Sequence, residues 1–211
     1  MAVAGAEPCL ENEQWQWRGP DGFQARWHPF APKIELVLAA EDRFRVSWDC
    51  LAPGAAVKRT LGNGSGSSAA QDSLSPGLGY LEHLRIESTR SELPFRKLRW
   101  GRAHAGHSSL VWIHWARGRD LSVVCEDGVQ VDGRIELLPE GGVRVQTTRG
   151  EWETGRAKPL GDLRHLFPRW LFRLAPGMVP VQERKMTGPV RLKTNSGEVT
   201  GSGVWEEVEW P

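Results

Sequence analysis

Two short runs carry the residues best suited to chemistry, and both mix acids or cations with aromatic rings. Gly77-Leu78-Gly79-Tyr80-Leu81-Glu82 places Tyr80 and Glu82 two apart, on one face of an extended strand. Arg99-Trp100-Gly101-Arg102-Ala103-His104 does the same for Trp100, Arg102 and His104, and Leu110-Val111-Trp112-Ile113-His114-Trp115 for Trp112 and His114. If these three faces line one barrel interior, they form a Trp-walled pocket holding a carboxylate, a guanidinium and two imidazoles. Such a pocket suits a hydrophobic ligand with few polar atoms. An apolar wall raises the pKa of Glu82 and lets it donate a proton, whereas a neighbouring Arg102 lowers it. The alternative is a structural one, a buried Glu82–Arg102 ion pair that fixes strand register.

Other chemistries find little support. Signatures for a nucleophile elbow, a phosphate loop and a metal-binding helix are absent from the sequence. His104 and His107 fall on opposite faces of a strand, so no metal site is expected. No cofactor is expected either. The charge is near neutral, with 27 Lys and Arg against 26 Asp and Glu, which argues against a nucleic-acid partner. No apolar run approaches the ~20 residues of an integral membrane segment. Three widely spaced cysteines, Cys9, Cys50 and Cys125, fit a reducing compartment, so a cytoplasmic protein is expected.

The elements that must position these residues read as strands. Ile34 to Leu38, Phe44 to Cys50, Leu121 to Cys125, Arg134 to Leu138, Gly142 to Thr147, Val190 to Lys193 and Val204 to Trp210 carry strand patterns. The run from Leu110 to Trp115 is apolar on both faces and belongs between two layers. Turn signals at Glu41-Asp42, Glu126-Asp127-Gly128, Pro139 to Gly142 and Asn195-Ser196-Gly197 separate them. The expected fold is all-β: an antiparallel barrel, with a possible reduced second sheet. One short helix is expected between Pro159 and Pro168, capped by Asp162. Residues 1–14 read as a flexible leader and 15–211 as the barrel domain, with a Gly/Ser-rich loop at 61–75. Tryptophan supplies 11 of the 18 aromatic residues, against a single tyrosine, so large flat rings are required either for a ligand or for packing.

The Gly77 to Glu82 element, Trp100-Gly101-Arg102, Ser109-Leu110-Val111-Trp112 and the ending Gly203-Val204-Trp205-Glu206-Glu207-Val208-Glu209-Trp210-Pro211 together resemble the lipocalin-like superfamily. That group holds carotenoid 1,2-hydratases (hydroxyneurosporene synthases), AttH-like proteins and, more distantly, tocopherol cyclases. The resemblance implies a calycin-type barrel around an isoprenoid- or polyene-like molecule, and cofactor-free hydration, isomerisation or cyclisation. Tyr80, Glu82, Trp100 and Arg102 occupy its Gly-Tyr-acid and Trp-Gly-Arg elements. Where the superfamily often continues into a second Trp-Gly, this chain has His83-Leu84-Arg85-Ile86-Glu87. Under this reading Glu82, Arg102 and His104 are catalytic, and Tyr80, Trp100, Trp112 and His114 bind ligand. Competing readings are a non-catalytic lipid carrier with the same barrel, or a protein-interaction module whose tryptophans only pack.

Overall fold

A computed structural model describes residues 7–19, 23–41, 44–60, 73–88, 95–118, 120–139, 141–162 and 182–209. Among the described residues, sixteen antiparallel strands form two sheets. The first sheet contains β1 (Cys9–Glu11), β2 (Gln14–Arg18), β3 (Gln24–Pro29), β4 (Ile34–Glu41), β5 (Phe44–Thr60) and β6 (Ser73–Ser88). Its centre is the 17-residue β5. The first half of β5 pairs with β4 and the second half with β3, while β6 runs along the other edge. Register shifts near Cys50, Ala52 and Ala55 let so long a strand bend.

The second sheet contains β7 (Phe95–Ala105), β8 (Ser108–Gly118), β9 (Leu121–Glu126), β10 (Val129–Val131), β11 (Gly133–Leu137), β12 (Val143–Thr147), β13 (Glu151–Thr154), β14 (Lys158–Asp162), β15 (Gln182–Thr194) and β16 (Gly197–Glu209). Its order is β10-β9-β8-β7-β16-β15-β13-β12-β11, with β14 attached to β15. The sheet rolls into a nearly closed barrel. Its two ends meet where a Cβ on Gly133 of β11 would fall 2.8 Å from Val124 of β9. Tight turns set the registers: Asp127 and Gly128 both have positive φ (50° and 79°), as a two-residue hairpin requires.

Strand β8 lies between two layers, as its two apolar faces predict. Val111, Ile113 and Trp115 pack with Ile34, Phe44, Val46, Trp48 and Tyr80 of the first sheet. Leu110 and Trp112 point the other way, into the barrel with Trp152, Met186, Val190 and Trp205. Tryptophan therefore serves packing on both faces: Trp48, Trp112, Trp115 and Trp152 are each 1% exposed. Gly101 of β7 has no room for a side chain, because a Cβ there would fall 2.3 Å from Trp112 and 2.6 Å from Trp205. Gly101→Ala should lower stability by about 1–3 kcal/mol through overpacking, read as a shifted urea midpoint. An unchanged midpoint would show that the two indoles are not fixed there.

Three expectations change. Strand structure begins at Cys9, inside the stretch read as a leader, because Asn12 and Glu13 adopt positive φ and turn β1 back onto β2. No helix occurs among the described residues. The Pro159 end of the expected helix is strand β14, where Pro159 and Gly161 disfavour a helix and flank a register shift against β15. The rest of that helix, from 163, lies outside the described residues, as do 61–72 of the Gly/Ser-rich stretch. Ser73–Ser75 already belong to β6.

Candidate functional site

Cross-strand register brings the site together between the two sheets, outside the barrel interior. Glu82 on β6 faces Cys50 on β5, and Trp48 lies two residues along β5. The Trp48 indole Nε1 donates to Glu82 Oε2 at 2.5 Å, and the Tyr80 hydroxyl donates a short hydrogen bond to the same oxygen. Among the described residues, Glu82 Oε1 has no hydrogen-bond partner. Two donors thus hold one oxygen and leave the other to carry a proton.

From the second sheet, β7 presents Trp100 and Arg102. The Arg102 guanidinium lies 4.5 Å from the centroid of the Tyr80 ring, a cation–π contact. The Trp100 ring sits 6.2 Å from that of Tyr80. Arg102 therefore stacks on the tyrosine, and the register-fixing ion pair with Glu82 does not form.

Burial raises the Glu82 pKa. The hydrogen bonds from Tyr80 and Trp48 and the charge of Arg102 pull it down, and Glu206 pushes it up. Burial wins, which answers the competition left open by the residue types alone. Tyr80 is also pushed well up, by burial first and then by Glu82. The Cys50 thiol is raised chiefly by burial, so it stays protonated and is no nucleophile.

A cavity of about 120 Å³ adjoins Glu82, walled by Leu38, Val46, Leu84, Leu98, Ile113 and the rings of Trp48, Phe95, Trp100 and Trp115. Among the described residues that line it, Glu82 is the sole ionisable one. The volume is somewhat below the ~150 Å³ that holds a benzene ring in an apolar protein cavity. The enclosed volume matches one branched apolar group.

The structure brings together four of the seven expected residues: Tyr80, Glu82, Trp100 and Arg102. His104 follows on the same face of β7, buried against Phe30 at 6.1 Å between ring centroids. Its pKa is lowered to about 4, by burial and then by Arg102, so it is a neutral imidazole. Trp112 lies on the opposite face, inside the barrel. His114 is separate again, with Nδ1 3.0 Å from the Ser122 hydroxyl. Sequence reasoning missed Trp48 and Trp115. Both sit on the apolar faces of readable strands, but their nearness to Glu82 depends on pairings between distant segments. Among the described residues, no group of three or more His, Cys, Asp or Glu is placed to hold a metal ion. No described helix is long and apolar enough to cross a membrane.

No family model matches the chain, and no curated protein matches it. Among solved structures, the chain is similar to kievitone hydratase from Nectria haematococca, with a TM-score of 0.54 and 12% sequence identity over 99% of this chain and 70% of that one. At that identity the likeness speaks for architecture only. The chain has an all-β, lipocalin-like barrel fold.

Proposed function

We propose that the cleft between the sheets binds the unsaturated, branched end of an isoprenoid-like molecule and that Glu82 protonates its double bond. The observation that carries this reading is a half-buried carboxyl with one oxygen held by Trp48 and Tyr80, the other unpartnered, beside a cavity whose remaining walls, among the described residues, are apolar or aromatic. The proton passes from the Glu82 carboxyl to one alkene carbon and leaves a cation on the more substituted carbon. The faces of Trp100, Trp48 and Trp115 stabilise that cation. Addition of water with return of a proton to Glu82 completes a hydration. Loss of a neighbouring proton to the Glu82 carboxylate gives an isomer, and attack by a second double bond closes a ring whose new cation is discharged by loss of a proton to that carboxylate. No step needs a cofactor. Arg102, stacked on Tyr80, positions the phenol that orients Glu82, and His104 extends the same face. The neighbouring hydratase has the same fold, which is compatible with this chemistry and does not specify it.

A carrier with the same cleft is the second reading, favoured by the fact that Glu82 already has two internal donors. Native mass spectrometry of protein purified without detergent, solvent extraction and tryptophan quenching by prenyl alcohols test both. Saturable quenching with a hydrated, isomerised or cyclised product supports the enzyme. Binding with the probe recovered unchanged makes the protein a carrier. No binding by any probe removes the cleft as a ligand site.

A further inference from the structure

The barrel holds a second cavity, of about 60 Å³, beneath the turn that joins β11 to β12. Trp112, Trp205, Met186 and Val143 contribute its apolar wall, and Arg99, Arg184, Glu206 and Glu207 also line it. Its tryptophans differ in one respect. Trp205 Nε1 donates to the Gly141 carbonyl at 2.9 Å, and Trp152, in the same interior, donates to Glu126 at 2.9 Å. Trp112 is 1% exposed, yet its Nε1 has no acceptor. A buried donor left unpaired costs about 1–3 kcal/mol, and such groups in folded proteins usually have a partner in protein, water or ligand.

Charge narrows the kind of acceptor. Glu206 is already held by Lys185 at 2.7 Å, and Glu207 by Lys97 at 2.9 Å and Arg99 at 2.6 Å. Arg184 is exposed and makes no ion pair among the described residues. Lys97 and Lys185, outside the lining, and Arg99 within it neutralise the two carboxylates, so the cavity keeps surplus positive charge at Arg184. Size narrows it further, since about 60 Å³ is less than half of the ~150 Å³ cavity that holds a benzene ring.

We propose that this cavity is a second ligand site, which takes the carboxylate of a small organic acid. The carboxylate accepts the Trp112 indole N–H and faces Arg184, and a short alkyl group rests on Met186, Val143 and Trp205. Among the described residues, Trp100 alone is common to the linings of this cavity and of the Glu82 cleft, and the proposal stands whether or not that cleft is catalytic.

Acetate is the probe, titrated at constant ionic strength into ¹⁵N-labelled protein while the indole N–H signals are followed. The Trp112 signal is assigned by its loss in Trp112→Phe, and the Trp48 signal reports the other cleft. A saturable shift of Trp112 with Trp48 unmoved, weakened about tenfold in Arg184→Ala and not reproduced by ethanol, is the expected result. Arg184 is exposed, so that variant should melt with the wild type. A static Trp112 signal overturns the proposal, as does an equal response to ethanol, or a response to methylammonium in place of acetate.

Discussion

Glu82→Gln should retain the ligand and lose about 10²- to 10⁴-fold in turnover, the range associated with removing a positioned general acid. Glutamine preserves the shape and can still accept from Trp48 and Tyr80 through its amide oxygen, so the cavity wall stays in place. What disappears is the transferable proton. The pH dependence adds a second signature. Burial raises the Glu82 pKa, so the acid form persists above the ordinary glutamate range. Turnover should be flat at low pH and fall as pH climbs through the raised value. The same sign governs stability: a raised folded-state pKa favours the fold below the unfolded-state value, and that contribution is lost as pH rises through the folded one. Neutralising Arg102 removes a charge that lowers the Glu82 pKa, so Arg102→Leu should move the falling limb to higher pH. Full turnover in Glu82→Gln, or a limb that does not move in Arg102→Leu, would take the acid role away from this carboxyl.

The largest stability effect is expected at Glu126, far from the cleft. This carboxylate is 2% exposed and closes the barrel from inside. Oε1 accepts from Trp152 Nε1 at 2.9 Å and Oε2 from the Thr147 hydroxyl at 3.2 Å, with Arg149 Nε at 4.0 Å. The bonds run from β9 to the β12–β13 hairpin, joining opposite sides of the barrel where its ends come together. Truncation strands two donors and leaves a void. Glu126→Ala should lose about 3 kcal/mol, which corresponds to roughly 6–12 °C in Tm for a chain of this size. Glu126→Gln keeps an acceptor and should recover more than half of the loss. A thermal melt followed by near-UV circular dichroism reads both; a loss under about 1 kcal/mol in the alanine variant would mean that the barrel ends are held by other contacts.

The strands were legible because their signals are local. Alternation from Phe44 to Cys50, the two-faced run from Leu110 to Trp115 and the turns at Asp127-Gly128 and Asn195-Ser196 all reappear. Parity also placed Tyr80 with Glu82, and Trp100 with Arg102. It could not say which layer each face meets. Trp112 and Trp100 both sit on strands beside an aromatic-rich core, yet one points into the barrel and the other toward the first sheet. Trp48 escaped notice for the same reason, since its bond to Glu82 spans 34 residues of chain and depends on register shifts within β5. Arg102 is a different kind of miss: its residue type suggested a salt bridge, and the adjacent ring of Tyr80 offered a stacking surface instead.

Among the described residues, no strand of the first sheet hydrogen-bonds to any strand of the second. The cleft between them is closed by side chains alone, from Trp48 and Tyr80 on one side to Trp100, Ile113 and Trp115 on the other. Its width is therefore an adjustable dimension of the molecule. The sheets can slide or part by a fraction of a side chain without breaking a single backbone bond, and exchanging one residue such as Ile113 or Leu98 resizes the chamber while both ladders stay intact. Ligand preference in such an architecture can drift through evolution one side chain at a time, with the acid on β6 left in place.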